Sequence, residues 1–237
     1  MVAVPRQGPL YPRASYYFVA LLLVALAAFY PSYLARLGET DWIRHFHGGV
    51  SLAWMLLLVT QGVLVRRRKL ALHRAVGKSA YVIAPLFVLS GLLIIQHMTQ
   101  GGNPFQQAFG ARLAWVDLLA TAFFAASVVL AIRHRRNVQL HARWMATTAL
   151  LLLPPALGRL APVVLPFVTS FDAAFHAAFI ATEALVLLLI LDDRRAGQAL
   201  PPYRALLALT VAQHAGFAFL GDVAAWRAAC AWLGALM

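Results

Sequence analysis

Cysteine, lysine and acidic side chains are the scarce residues of this chain, and each scarcity closes off a class of chemistry. Cys230 is the single cysteine in 237 residues, which excludes an intrachain disulfide and any CxxC redox or zinc motif. Its alanine-rich setting suits a small buried apolar residue. Charged residues make up 12% of the chain, of which 8 are acidic, while 62% are hydrophobic and the mean hydropathy is +0.75. A soluble domain carries about a quarter charged residues, so this chain has too little polar surface to face water on all sides. The two lysines, Lys69 and Lys78, sit at the edges of apolar runs, which rules out a retinal Schiff base at mid-membrane. HExxH, GxSxG, Walker A and multi-histidine desaturase boxes are absent. Metalloprotease, hydrolase, nucleotide-driven and desaturase chemistry are therefore left without a motif.

What the chain has in abundance is apolar runs. A bilayer core of about 30 Å needs about 20 helical residues, and seven runs approach or reach that length: about 16–34, 46–65, 76–97, 112–133, 143–162, 172–191 and 204–222. The expected fold is all-α, a polytopic membrane protein of seven transmembrane helices forming a single transmembrane domain over 1–237. Gly221-Asp222 is expected to end the seventh helix, leaving 223–237 as an interfacial helix that carries Trp226 and Trp232. Arg6 and Arg13 precede the first run with no small-residue cleavage site before Pro31, so that run reads as a retained span.

The net charge of +12 is gathered in short clusters between the runs. Placing the N-terminus in the cytoplasm puts 15 of the 20 Lys and Arg on the cytoplasmic side and 5 on the other, as the positive-inside rule requires. The expectation is a bacterial cytoplasmic (inner) membrane protein with its C-terminus outside. Its partners are the bilayer, with Arg74, Lys78 and Arg143 meeting anionic headgroups at the cytoplasmic face, and a further membrane protein. A charge pattern of this kind does not describe a nucleic-acid-binding face.

An internal repeat is legible. Leu52-Ala53-Trp54 opens a run ending in VRRRKLALH (65–73), and Leu113-Ala114-Trp115 opens another ending in IRHRRNVQLH (132–141). His73 and His141 are each followed 12 or 13 residues later by a proline, Pro85 or Pro154. The pattern predicts two parallel helix pairs, the second and third helices matching the fourth and fifth. His47, LHRAVGKSAY (72–81) and LHARWMATTALLLLPPALGRL (140–160) resemble a bacterial multi-pass family known as domain of unknown function 2306, over residues 45–162. The resemblance implies a four-helix core unit within an inner-membrane bundle, and no established activity. Histidines at the helix ends of such a unit give a looser likeness to cytochrome b561-like haem proteins.

Candidate ligands collect toward the extracytoplasmic ends. By helical rise, His45, His47, His97, Asp117 and His176 fall within about 10 Å of the outer boundary. Imidazole and carboxylate at one depth make them a candidate transition-metal set. On one helix, however, His45 and His47 point about 200° apart. Candidate haem ligands are His47, His73, His141 and His176, with helix-end capping the alternative role for His73 and His141. Asp172, His176 and Glu183 share one face of the sixth helix, and Glu183 lies about 18 Å from its start. His214 reaches a similar depth on the seventh helix, so Glu183 and His214 form a candidate intramembrane pair. Three functions stay open on this reading. They are a haem- or metal-holding redox or cofactor-handling protein, a proton-coupled carrier using Glu183 and His214, and a non-catalytic assembly factor. Whether the chain is an enzyme is left open as well.

Overall fold

Apolar runs become helices wherever the backbone must satisfy its own hydrogen bonds, and that rule shapes this molecule throughout. The structure, a computed structural model, describes residues 13–236; Arg6 lies outside the described residues. Ten α-helices succeed one another: α1 (Ala14–Phe29), α2 (Trp42–Arg66), α3 (Leu70–Gly77), α4 (Ala80–Thr99), α5 (Pro104–Arg133), α6 (Val138–Leu150), α7 (Leu153–Val164), α8 (Phe171–Arg195), α9 (Pro201–Phe219) and α10 (Ala224–Gly234). No strand occurs among the described residues. Side chains of Asp41, Asn103, Asn137 and Ser170 accept backbone N–H bonds at the starts of α2, α5, α6 and α8. Each satisfies one of the orphan donors that would otherwise fray the first turn.

The chain is a multi-pass membrane protein: α2, α4, α5, α8 and α9 are each long and apolar enough to cross a membrane, and α6 with α7 makes a sixth candidate. The expected first span is shorter than its apolar run. Helix α1 has 16 residues, about 24 Å at 1.5 Å per residue, because the chain turns at Pro31 into a 3-10 segment, Leu34–Glu39. The far end of α9 tightens into a 3-10 turn, Leu220–Asp222, and α10 comes next as a separate helix of 11 residues, too short to cross. Trp226 Nε1 donates to Ala111 O at 2.7 Å, which ties α10 to the start of α5.

The helices close into a ring in the order α1, α2, α4, α5, α9, α8, α7 and back to α1. The arginine-rich connections gather at one end, called here the basic end. There Arg66 of α2 lies 4.5 Å over the Tyr16 ring of α1. Helix α6 runs inside the ring, against α5, α9 and α2. Its continuation α7 leaves at 41° and joins the wall between α1 and α8. Pro154 and Pro155 cause the break, since neither has an N–H for the carbonyl one turn back. The single Pro85 leaves α4 continuous.

The basic half of the ring is therefore filled. Trp54 is 1% exposed and packs against Phe124, which stacks on Phe87. Trp54 Nε1 donates to Thr148 Oγ1 at 3.0 Å, joining α2 to α6. The matching Trp115 of the repeat pattern has a different setting: its indole donates to Ala212 O on α9 at 3.1 Å. Gly216 lies under that indole so closely that a Cβ there would collide with it.

The charge pattern turned Arg143 outward to headgroups; its side chain is instead buried among the helices, 6% exposed. Its Nε lies 2.8 and 3.1 Å from the Asp193 carboxylate oxygens and its Nη2 2.6 Å from Oδ1. Gln139 contributes its backbone carbonyl, at 3.3 Å, and its side-chain oxygen. This fork welds α6 to the last turns of α8. Removing one partner leaves a buried charge alone and costs about 3–5 kcal/mol. Arg143→Met and Asp193→Leu are each expected to lower the melting temperature of detergent-purified protein sharply, and the double variant to recover most of the loss. Additive losses in the double variant would contradict the pairing.

Candidate functional site

Helices α8 and α9 pack side by side and bring three titratable groups into one hydrogen-bonded chain. His176 and Glu183 are seven residues apart on α8, hence on one face; His214 comes from α9, between them in depth. His214 Nε2 is 2.8 Å from His176 Nδ1, and His214 Nδ1 is 3.1 Å from Glu183 Oε1. Phe179 lies beside the His214 ring at 5.4 Å, and Phe175 stacks on Phe217 at 3.6 Å. These rings make the wall that holds the imidazoles in place. The chain borders an open groove of about 280 Å³ lined by His176, Glu183, Val211, His214, Ala215 and Ala218. One turn further from the basic end, Asp172 accepts from Arg112 at 3.4 Å, and Arg112 also lies 3.7 Å from Asp222. A polar track thus runs from the far end of the bundle to mid-helix. Toward the basic end the same face of α8 continues with Leu187 and Leu191, both exposed and apolar.

The tautomers of this chain have two self-consistent settings, because a neutral imidazole has one donor and one acceptor nitrogen. With Glu183 ionised, His214 Nδ1–H donates to it and His176 Nδ1–H donates to His214 Nε2. A proton arriving at His176 Nε2 can displace the others along the same bonds. His176 Nδ1–H then passes to His214 Nε2, and His214 Nδ1–H passes to Glu183. The result is a neutral carboxyl group and two imidazoles with their protons on Nε2. One proton enters at His176 and one is held at Glu183, with no change in heavy-atom partners.

The other candidate ligands are dispersed. Helix α2 begins at Trp42, so His45 and His47 are both within it and face different ways. His45 Nδ1 is 3.0 Å from the Tyr33 hydroxyl, and His47 Nδ1 is 3.0 Å from Ser90 Oγ. Ser90 gives its own proton to Phe87 O at 2.8 Å, so His47 is the donor and its Nε2 carries the lone pair. His97 Nε2 lies 3.8 Å from Asp41. Burial opposes charge on Asp41, but the Arg44 N–H and guanidinium outweigh it and hold the carboxyl below its ordinary range. Asp117 is partly exposed on α5, and none of the other candidate ligands hydrogen-bonds to it among the described residues. Among the described residues no three His, Cys, Asp or Glu side chains converge on a metal-sized site.

His73 and His141 do meet, at the basic end, with ring centroids 6.5 Å apart and planes at 81°. His141 Nδ1–H donates to Ala131 O at 2.8 Å, which leaves its Nε2 as acceptor. The Gln61 amide, with its NH2 toward His73, donates to His73 Nδ1 and to the His73 carbonyl, and accepts from Gly77 N–H at 3.0 Å. His73 therefore carries its proton on Nε2. Binding iron through both Nε2 atoms would require the His73 tautomer to reverse and the Gln61 amide to turn.

Sequence reasoning missed one partnership, Arg143 with Asp193. Fifty residues separate the two, and no local pattern links them. Comparison of the chain with family models, with curated proteins and with solved structures gives no match.

Burial first, then the neighbouring His141, depresses the His73 pKa, with the Gln61 backbone carbonyl opposing and Arg74 adding to the effect. The folded state thus prefers His73 neutral. Its stabilising contribution is complete above the unfolded value of about 6.5 and is lost as pH falls through the depressed folded value. Thermal melting of wild type between pH 7 and pH 5 is expected to show an acid loss that His73→Gln reduces. Equal losses in the two proteins would remove His73 as the sensor.

Proposed function

We propose that this protein is a proton-coupled carrier of a small molecule in the bacterial cytoplasmic membrane. The observation that carries the reading is the Glu183–His214–His176 chain. It is a row of titratable groups whose bonds allow a proton to be taken up and held, set at mid-helix and continued toward one end of the bundle by Asp172 and Arg112. Ionisable groups at this depth cost several kcal/mol unless they are paired or wetted, and serve proton relays more often than structure. The chain borders an open groove, and beyond Glu183 the same face of α8 is apolar toward the basic end; in this reading the carboxylate is reached from the far end only. An arrangement open on one side of a protonatable carboxylate is what alternating access requires of one of its two states.

The topology in this reading has seven crossings: α1, α2, α4, α5, the bent α6–α7, α8 and α9. Although short, α1 reaches from Arg66 of α2 at the basic end to Arg159 of α7, whose guanidinium lies 4.1 Å over Phe29. The basic end is cytoplasmic by the positive-inside rule. The likeness to domain of unknown function 2306 over 45–162 accompanies this proposal without adding an activity to it.

The test uses protein reconstituted in liposomes with an entrapped pH-sensitive dye, screened against pools of small solutes under an imposed pH gradient. Solute-dependent proton movement is expected, and Glu183→Gln and His214→Asn should each slow it on the order of 100-fold, the scale of a lost positioned proton-transfer group. Solute movement that is independent of pH, or unaltered in Glu183→Gln, would count against the carrier.

A further inference from the structure

The groove beside the proton chain has a direction and a charge that the relay alone does not use. On α9 the groove residues Val211, His214 and Ala218 each follow by one position a member of the buried stripe Thr210, Gln213 and Phe217. One position is about 100° of helical turn, so the groove lies on the flank of the α8–α9 pair and not in the interior of the ring. Val211 is 50% exposed, and Ile180 and Leu187, the neighbours of Glu183 on the same face of α8, are 59% and 47% exposed. In a multi-pass membrane protein this flank meets lipid. Ala215 and Ala218 are exposed as well, and their small side chains leave room between the helices.

The Glu183 carboxylate is only half used. Its Oε1 takes the His214 bond at 3.1 Å, and among the described residues no donor reaches Oε2. The side chain is 21% exposed and Oε2 is not sealed. No lysine or arginine lines the groove. Asp172 and Asp222 share Arg112, so with neutral imidazoles the polar track carries more negative than positive charge. Helix α7, also packed on α8, brings no ion pair or hydrogen bond to the chain among the described residues. Facing lipid, an ionised Glu183 is costly and a protonated one is not, so a carboxylate that gives up its proton here needs a positive charge in its place. Val211, Ala215 and Ala218 offer apolar contact only. A ligand that satisfies both demands has one positive charge at one end and an apolar body at the other.

We infer that the groove binds an amphiphilic amine in its ammonium form, the charge on Glu183 Oε2 and the apolar body along the lipid-facing flank of α9. Oε2 accepts from the ammonium N–H while His214 keeps Oε1. Ligand and relay proton occupy the same carboxylate in turn. On loading, the Glu183 O–H proton passes to His214 Nδ1 and the His214 Nε2–H proton to His176 Nδ1. The His176 Nε2–H proton leaves to water, and the ammonium ion takes over the charge. Unloading reverses each transfer, so one proton is exchanged for one monocation. An anion is repelled by the carboxylate, and a neutral solute leaves the ionised carboxylate unpaired. A small hydrophilic cation sheds its hydration without gaining the apolar contacts. The inference names the substrate class of the proton-coupled carrier, and rests on that reading for transport but not for binding.

Binding is measured by equilibrium titration on protein in lipid nanodiscs, with empty nanodiscs subtracted for partition into lipid. The probes are phenethylammonium and benzyltrimethylammonium, the second of fixed charge. Phenethyl alcohol, phenylacetate and methylammonium are the controls. Both aromatic cations are expected to bind, and each control to bind at least about tenfold more weakly. Lowering the pH from about 8 to about 5 should weaken benzyltrimethylammonium with a slope approaching about tenfold per pH unit, because one proton competes for its site. Glu183→Gln should weaken both cations by about 30-fold or more, the scale of a desolvated charge pair losing one member, and should remove the pH dependence. Glu183→Asp, which keeps the charge, should bind with intermediate strength, and shows that loss in Glu183→Gln is not loss of fold. No binding of either aromatic cation overturns the proposal, as does binding unchanged in Glu183→Gln. Phenethyl alcohol binding as tightly as the cations, with Glu183→Gln indifferent, overturns it in favour of a groove for uncharged lipid chains. Two copies per nanodisc with neither cation bound overturns it in favour of a second copy on this flank. Glu183-dependent cation binding in competition with protons, without cation-driven proton movement in liposomes, would sink the carrier reading and leave this one standing. Proton-coupled movement of a solute of another class, with no cation bound, would do the reverse.

Discussion

Two adjacent prolines, Pro154 and Pro155, remove two consecutive backbone donors, and α6 ends where their hydrogen bonds would have been. The 41° change of direction at that point gives one stretch of chain two jobs. As α6 it fills the middle of the ring at the basic end, pinned to α2 by Trp54 and Thr148, to α5 by Thr147 and Ser127, and to α8 by Arg143 and Asp193. As α7 it becomes part of the wall. The bend fills the middle of the basic half and sends α7 into the wall between α1 and α8.

With so few charges, each ionised group carried into the bundle needs a partner that outweighs its desolvation. The chain meets that requirement in two ways. Arg143 and Asp193 form a closed bidentate pair with both side chains buried, 7% and 5% exposed, an arrangement suited to locking two helices. The side chains of His214 and Glu183 are 20% and 21% exposed, and the bonds they make persist through a proton shift, which suits exchange rather than locking. The same physics produces a closed lock in one place and an open hydrogen-bonded chain in the other, and the difference lies in access.

Much of the architecture can be read along the chain. Apolar length places the helices near their observed positions, and the Gly221-Asp222 step marks the break before α10. The spacing of 4 and 7 puts Asp172, His176 and Glu183 on one face, and helical rise brings Glu183 and His214 to a common depth. Those deductions work because helix geometry is fixed, at about 1.5 Å and about 100° per residue. Counting crossings is less direct, since Pro31 shortens α1 and two prolines split α6 from α7. The repeat pattern is visible in Trp54 and Trp115, but one indole is sealed in the core and the other bonds α9.

The sequence by itself determined that this is an all-helical membrane protein, where its basic clusters fall, and that Glu183 and His214 reach a common level on their helices. Composition and periodicity are local or additive properties, and lipid leaves the backbone almost no alternative. Only the tertiary structure decided partners: that Arg143 turns inward to Asp193, that His45 and His47 serve different neighbours, and that His176 joins His214. Each of those depends on which helices are adjacent in the ring and on a bend of one of them. Neighbour relations between helices are set by the summed packing of whole faces, and no short stretch of sequence contains that sum.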